Sequence, residues 1–364
     1  MTGVVGQLKP NLLDSFIEEY HVNVNATKPS KLKSPLNKDT RIFEVEESGL
    51  NAYIIDTPMT RQIACHPHIV GDRLQELTFE AAQRGFRAIL ELSGIDASSS
   101  RETIVFEQIL RAALGYQLHE VAAEMIPGSF RTVYIRPRYT HTSYRDHDGL
   151  VQRQLNIVYE DFSDLPKGKS VDLVMQDTVA SSRSAEISLQ NAINHCNELG
   201  SKIGKWIVYG FVSLKGLKLL DRIAHSYGIP LTTFAMGNLT ALCANNYDMP
   251  LFGVDEWLWR GQGKISKLGA VVDRSTFAEY LNEFIPGSDQ PGDWSARQFK
   301  LFTGKGYEPG NIPEHLENSM RLINSLLSIG NLADWQQELA RKELEMLQEQ
   351  LTKWKPRVLE NATL

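Results

Sequence analysis

Short apolar runs alternate along this chain with longer stretches in which apolar residues recur every three or four positions. The first pattern marks buried strands and the second marks helices packed by one face. "NLLDSFIEEY" reads as a short helix, "NATKPSKLKSPLNKDTR" as a polar linker and "GLNAYIID" as a strand. In "HPHIVGDRLQELTFEAAQRGFRAILELSGI" the spacing of Ile69, Leu74, Leu77, Phe86, Ile89 and Leu90 predicts helices. "ETIVFEQILRAALGYQLHEVAAEMI" reads as strand, turn and helix. "FRTVYIRPRY" is a further strand, and "LNIVYEDF" is its hairpin partner beyond the polar stretch "THTSYRDHDGLVQRQ". "LVMQDTVASSRSAEISLQNAI" and "KWIVYGFVSLKGLKLLDRIAHSYGIP" both repeat strand, turn and helix, and "LTTFAMGNL" is one more strand. Beyond about residue 260 the pattern weakens into loops, until Trp335, Leu339, Leu344, Leu347 and Leu351 mark a final amphipathic helix.

Strands alternating with helices predict an α/β fold whose sheet is largely parallel and covered on both faces. Ligands of such sheets collect beyond the carboxyl ends of the strands. The turns after Val105–Phe106, Val174–Met175 and Val208–Phe211 are therefore the expected site walls.

Composition narrows the classes. With 364 residues, 42% hydrophobic and 23% charged, the chain has the make-up of a water-soluble globular protein of one or two domains. A formal net charge of −6 gives no ground for general nucleic-acid binding. No stretch approaches the roughly 20 apolar residues of a membrane span, and the N-terminus lacks a basic segment followed by an apolar one. Cys65, Cys196 and Cys243 lie far apart, as reduced thiols of a cytoplasmic protein would.

Candidate chemistry centres on Leu173–Ile193. Asp177, Thr178, Ala180, Ser181, Ser182, Arg183 and Ser184 lie where a strand gives way to a helix. Small residues let backbone N–H groups converge on an anion at the positive end of the helix dipole, with Arg183 adding charge-assisted hydrogen bonds. The other reading is a plain capped helix start, with Asp or Ser as N-cap and Glu186 in the first turn.

This segment resembles the phosphate loop of type I phosphoribosyltransferases, and most closely that of uracil phosphoribosyltransferases, Asp-Pro-Met-Leu-Ala-Thr-Gly-Gly-Ser-Ala after an apolar strand. Ala180, Ser181, Ser184 and Ala185 fall on its Ala, Thr, Ser and Ala. Four further stretches agree in order: "HPHIVGDRLQEL" with "FRAILEL"; "ILRAALGYQLHEVAAEMIP", similar to the family's Ile-Leu-Arg-Ala-Gly-Leu-Gly; "YRDHDGLVQRQLNIVYEDFSDLP"; and "YDMPLFGVDE", where the family has its base-recognition loop. The resemblance spans roughly residues 60–260. It implies a type I phosphoribosyltransferase-like fold, with a mostly parallel sheet flanked by helices and a flexible hairpin or hood. A domain at 46–260 would lie between an N-terminal extension (1–45) and a C-terminal extension (261–364).

The resemblance further implies transfer of the phosphoribosyl group of 5-phosphoribosyl 1-diphosphate (PRPP), with Mg2+, to a nitrogen of an acceptor base, releasing diphosphate. By position, Arg111 would meet diphosphate together with the turn at Ala112 and Ala113. Arg145 would close over it from the hairpin, with Arg136 and Arg138 nearby. Asp177 would face the ribose hydroxyls, and Ala180–Ser184 would cradle the 5-phosphate. Tyr247, Met249, Leu251, Phe252, Gly253 and Asp255 would line the acceptor. The departures concern both loops. Gln176 stands where the first acid belongs, Ser182 and Arg183 replace both loop glycines, and Ala113 replaces another. Val254 replaces an Asp of the base loop, which Asp255 restores one place later. These changes point away from uracil towards a larger aromatic acceptor stacked near Phe252, Trp257 or Trp259.

Two alternatives stay open: a non-catalytic regulator of the same fold that binds PRPP or a nucleotide, and an assembly subunit whose final helix makes a homodimer. His66 and His68 flank Pro67 with no acid nearby in sequence, which favours a structural role over a metal pair. Asp146–Asp148 ("DHD") reads as a solvated turn. No metal bound directly by the chain is expected.

Overall fold

The computed structural model describes residues 10–33, 37–47, 49–95, 101–126, 130–139, 155–243, 246–253, 268–288, 294–329 and 332–361. Nine strands form one mixed sheet: β1 (Thr27–Ser30), β2 (Arg41–Val45), β3 (Ala52–Asp56), β4 (Ile104–Ile109), β5 (Arg131–Tyr139), β6 (Leu155–Asp161), β7 (Ser170–Gln176), β8 (Lys202–Ser213) and β9 (Leu231–Thr240). Their order is β1-β2-β3-β9-β8-β7-β4-β5-β6. The pairings from β3 through β9, β8, β7 and β4 to β5 are all parallel. An antiparallel ribbon closes each edge, β1–β2–β3 on one side and β5–β6 on the other. β4 and β9 are buried along their whole length, as strands covered on both faces must be.

The helices fall on two sides. On one face α2 (Pro58–Cys65), α3 (Gly71–Leu92) and α4 (Leu118–Met125) send Ile63, Leu74, Leu77, Phe86, Leu118 and Val121 into a core with Phe106, Val174 and Phe211. On the other, α5 (Arg183–Glu198) and α6 (Leu214–Ser226) send Leu189, Ala192, Leu217 and Leu220 against Val105, Leu173 and Val208. Each Leu, Ile, Val or Phe side chain fully buried in this way contributes roughly 1.5–3 kcal/mol. α1 (Pro10–Glu19) joins the first core through Phe16, as does Tyr20 just beyond its end.

One stretch read as linker is not one. Thr27–Ser30 forms β1, where Pro29 is tolerated at a sheet edge and Lys28 pairs with Glu44 and Glu46. The end of that stretch, from Arg41, enters β2, a strand that the mixed polarity of "RIFEV" conceals.

Beyond the sheet lie α7 (Arg274–Tyr280), a small hairpin of β10 (Lys300–Phe302) and β11 (Tyr307–Pro309), and the helices α8 (Ile312–Ile329) and α9 (Asp334–Asn361). The apolar face of α9, Ala340, Leu347, Leu351 and Trp354, is buried with Leu322, Ile323 and Leu326 of α8 and with Val70. The face assigned to dimerisation from sequence is thus covered by this same chain. Gly71, at φ +56°, leaves room for the Trp354 ring, which a Cβ there would meet at 2.2 Å. Arg297 is fully buried, and its guanidinium donates to the carbonyls of Ile63, His66 and Ile69. All three cysteines are buried. No helix among the described residues is long and apolar enough to cross a membrane.

Candidate functional site

β4 and β7 are neighbours, yet their chains leave in opposite directions. β4 leads through α4, on one face, to β5; β7 leads through α5, on the other face, to β8. This is a topological switch point, where the divergence of two connections opens a crevice beyond the carboxyl ends of the strands. The walls of the crevice are the turn at Arg111–Tyr116 and the turn at Asp177–Ser182, which are two of the predicted segments.

The second wall lacks the side-chain cap that a plain capped helix would show. α5 begins at Arg183 with Ser182 as N-cap, but no side chain caps the helix. Ser182 takes φ +61°, a left-handed conformation that its residue type disfavours, and its hydroxyl donates instead to the Gly216 carbonyl at 2.8 Å. The serine therefore occupies the backbone state that a loop glycine would otherwise supply, held there by its own hydrogen bond. The first turn of this 16-residue helix thus has no N-cap side-chain acceptor for its N–H groups, at the positive end of the helix dipole. Ser181 and Ser184 are half-buried beside them, and Arg183 is exposed.

The start of α6 stitches this loop down. Ser213 accepts from the Gly216 N–H at 2.8 Å and donates to the Ala180 carbonyl at 2.6 Å. Val179 bridges to Val212 of β8. Gly210 passes so close beneath that a Cβ would lie 2.0 Å from the Asp177 carbonyl oxygen. Nothing in the spacing of Gly210, Ser213 and Gly216 marks them as site residues; only the fold brings them under the loop.

Tyr116 ties the two walls together. Its hydroxyl is hydrogen-bonded to Thr178 Oγ1 at 2.5 Å, and its ring stacks on Trp294 with centroids 4.5 Å apart. Ala113 is buried and Ala112 half-buried, with the Ala112 carbonyl accepting from Gln298 Nε2. The Arg111 guanidinium donates to the carboxylate of Glu308 on β11, and Arg136 Nη2 lies 3.7 Å from the same carboxylate. Thus Trp294, Gln298 and Glu308, about 200 residues away in sequence, lean over the first wall.

Beneath the crevice lie two buried acids. Burial raises the Asp177 carboxyl to about 7, reinforced by nearby Glu107, and raises Glu107 to about 7, while the Ser188 hydroxyl donating to Glu107 acts the other way. Gln176, in the position of the expected acid, does structural work: its Oε1 accepts the Leu118 N–H that opens α4, and its Nε2 donates to Gln108.

The acceptor residues divide. Tyr247 is exposed, whereas Met249, Leu251 and Phe252 are buried. Phe252 is ringed edge-on by Phe277, Tyr280 and Phe284, and Gly253, at φ +78°, packs on Tyr20. Arg145, Asp255, Trp257, Trp259 and Asp146–Asp148 lie outside the described residues.

No family model and no curated protein matches the chain. Solved structures similar to it include adenine phosphoribosyltransferase from Trypanosoma brucei, at a TM-score of 0.31 and 10% identity, covering 51% of this chain and 83% of that one. The enzyme of the same name from Leishmania tarentolae gives 0.31 and 12%, covering 52% and 93%. The hypoxanthine-guanine phosphoribosyltransferase of L. donovani gives 0.26 and 11%, covering 43% and 79%.

Proposed function

We propose that the crevice between β4 and β7 binds PRPP and that the chain transfers its phosphoribosyl group to a base or base-like aromatic acceptor other than uracil. The observation that carries this reading is the uncapped start of α5 facing the Arg111 turn across a topological switch point. In the transfer, an acceptor nitrogen forms its bond to C1 of the ribose as the bond from C1 to diphosphate breaks, and the acceptor nitrogen gives up its proton. Positive charge grows on the ribose ring and negative charge on diphosphate, so fixed donors and charges do most of the catalysis. Arg111 would hold the leaving diphosphate, the N–H groups and hydroxyls of Ala180–Ser184 the 5-phosphate, and Asp177 the ribose hydroxyls.

Magnesium would be carried in on the substrate's diphosphate: a hard divalent ion seeks several oxygens, and the two turns offer a single carboxylate, Asp177, which burial raises to about 7 and so disfavours in its ionised form. Diphosphate would supply the remaining oxygens and the ion would neutralise part of its charge.

A second reading, a non-catalytic PRPP- or nucleotide-binding regulator, is favoured by Glu308 resting on Arg111, Trp294 stacked on Tyr116, and the enclosure of Met249, Leu251 and Phe252. Diphosphate release from PRPP, assayed against a panel of purine, pyrimidine and pyridine acceptors, separates the two. Acceptor-dependent release, lost in Arg111→Ala and Asp177→Asn, supports the transferase. PRPP binding with no release for any acceptor supports the regulator.

A further inference from the structure

We propose that His66, His68 and Glu343 form a binding site for a divalent transition-metal ion of the zinc class, distinct from the PRPP crevice. The fold supplies the acid that is missing from the local sequence. Glu343 of α9 is 4% exposed, with Oε2 3.0 Å from His66 Nδ1 and Oε1 2.7 Å from His68 Nδ1. One donor atom from each of the three residues lies within 4.8 Å of the others. Two imidazole nitrogens and one carboxylate form a three-ligand set that leaves a fourth position for water, and nitrogen donors favour zinc-like ions over magnesium or calcium. Both rings keep an exposed edge, 25% for His66 and 18% for His68, through which an ion and its water can enter.

Two further features mark a built site. Metal-bound histidines usually direct their second ring nitrogen at a carboxylate, which fixes the ring and its tautomer. His66 has such a partner: Glu283 Oε2 lies 3.4 Å from its Nε2. The carboxylate of Glu343 is itself oriented by the His68 backbone N–H at 3.0 Å. The turn that carries both histidines is fixed independently of their rings. Arg297 donates to the His66 carbonyl, and the His315 ring is hydrogen-bonded to the Pro67 carbonyl at 2.9 Å. An ion here would lie between the rings and Glu343 in place of the protons that now bridge them. It would thereby fasten α9 to the turn that opens α3.

The test uses the full chain, stripped with chelator, and Zn2+ and Co2+ as probes. We expect one ion per chain by elemental analysis, the visible absorption of four- or five-coordinate Co2+, and a melting midpoint that rises with Zn2+. His68→Ala should abolish the Co2+ spectrum, with its fold checked by circular dichroism. Glu283→Gln, which touches no ligand atom directed at the metal, should weaken Zn2+ binding 10- to 100-fold. Failure of the wild-type chain to bind either ion stoichiometrically would overturn the proposal, as would an unchanged Co2+ spectrum in folded His68→Ala. The outcome is independent of whether PRPP binds.

Discussion

Glu308→Gln isolates the pairing that now holds the Arg111 guanidinium. The substitution keeps the shape of the β11 side chain and removes its charge, so anything that binds Arg111 no longer has to displace a carboxylate. The Arg111 side chain is 39% exposed and that of Glu308 34%, so water screens the pair strongly. Exposed ion pairs of this kind are worth roughly 0.2–1 kcal/mol. Proximity of Arg136 to the same carboxylate favours the upper end. Releasing about 1 kcal/mol corresponds to about a fivefold lower Kd for PRPP, since about 1.4 kcal/mol is a factor of ten. The assay is titration calorimetry of wild type, Glu308→Gln and the equal-charge control Glu349→Gln on the exposed side of α9. The gain should appear in Glu308→Gln alone and shrink as salt is raised, because screening weakens the competing pair. Equal or weaker binding by Glu308→Gln, where wild-type binding depends on Arg111, would refute the reasoning.

Three other outcomes follow from the same geometry. Glu107 ionises at about 7 in the fold against an ordinary value near 4.5, so the unfolded chain loses this proton first and stability falls between about pH 4.5 and 7. At about 1.4 kcal/mol per pH unit the loss is about 3 kcal/mol; Glu107→Gln should remove that part of the slope in urea melts, leaving the part due to Asp177, and an unchanged profile would contradict it. Gly216→Ala would place a Cβ 2.6 Å from the Ala180 carbonyl oxygen and 2.9 Å from that of Val179, both backbone. The loop must shift, at a cost of roughly 1–3 kcal/mol, and PRPP affinity should fall at least tenfold by calorimetry. Arg297→Met strips the donor from three buried carbonyls and should cost about 3 kcal/mol in denaturant melts; a loss within experimental error would show that water or a backbone shift replaces the guanidinium.

The alternation of apolar runs with amphipathic stretches made the α/β architecture readable, because strands sandwiched between helices must be apolar throughout and their covering helices on one face only. The two crevice walls were readable for the same reason: they are local turns that follow such strands. What escaped the sequence was set by distance or by exchange of roles. Glu308, Trp294 and Gln298 reach the Arg111 turn only through the hairpin that folds back onto it, and Glu343 meets His68 across 275 positions. Ser182 adopts a positive φ that its residue type argues against, held by a bond to Gly216 that local reading cannot supply. Gln176 replaces an expected acid because the start of α4 needs an acceptor there. The apolar run at Met249–Phe252 matched an acceptor loop in position, whereas its burial depends on the α1 segment, far away in sequence, and on α7.

Calorimetric titration of the wild-type chain with PRPP, with and without Mg2+, asks whether the start of α5 and the Arg111 turn bind phosphate together. A phosphate site there should give micromolar binding, on the order of −8 kcal/mol, that strengthens with Mg2+ and disappears in Arg111→Ala. Absence of binding in both conditions would mean that the start of α5 and the Arg111 turn do not form a phosphate site, and would contradict the proposed function.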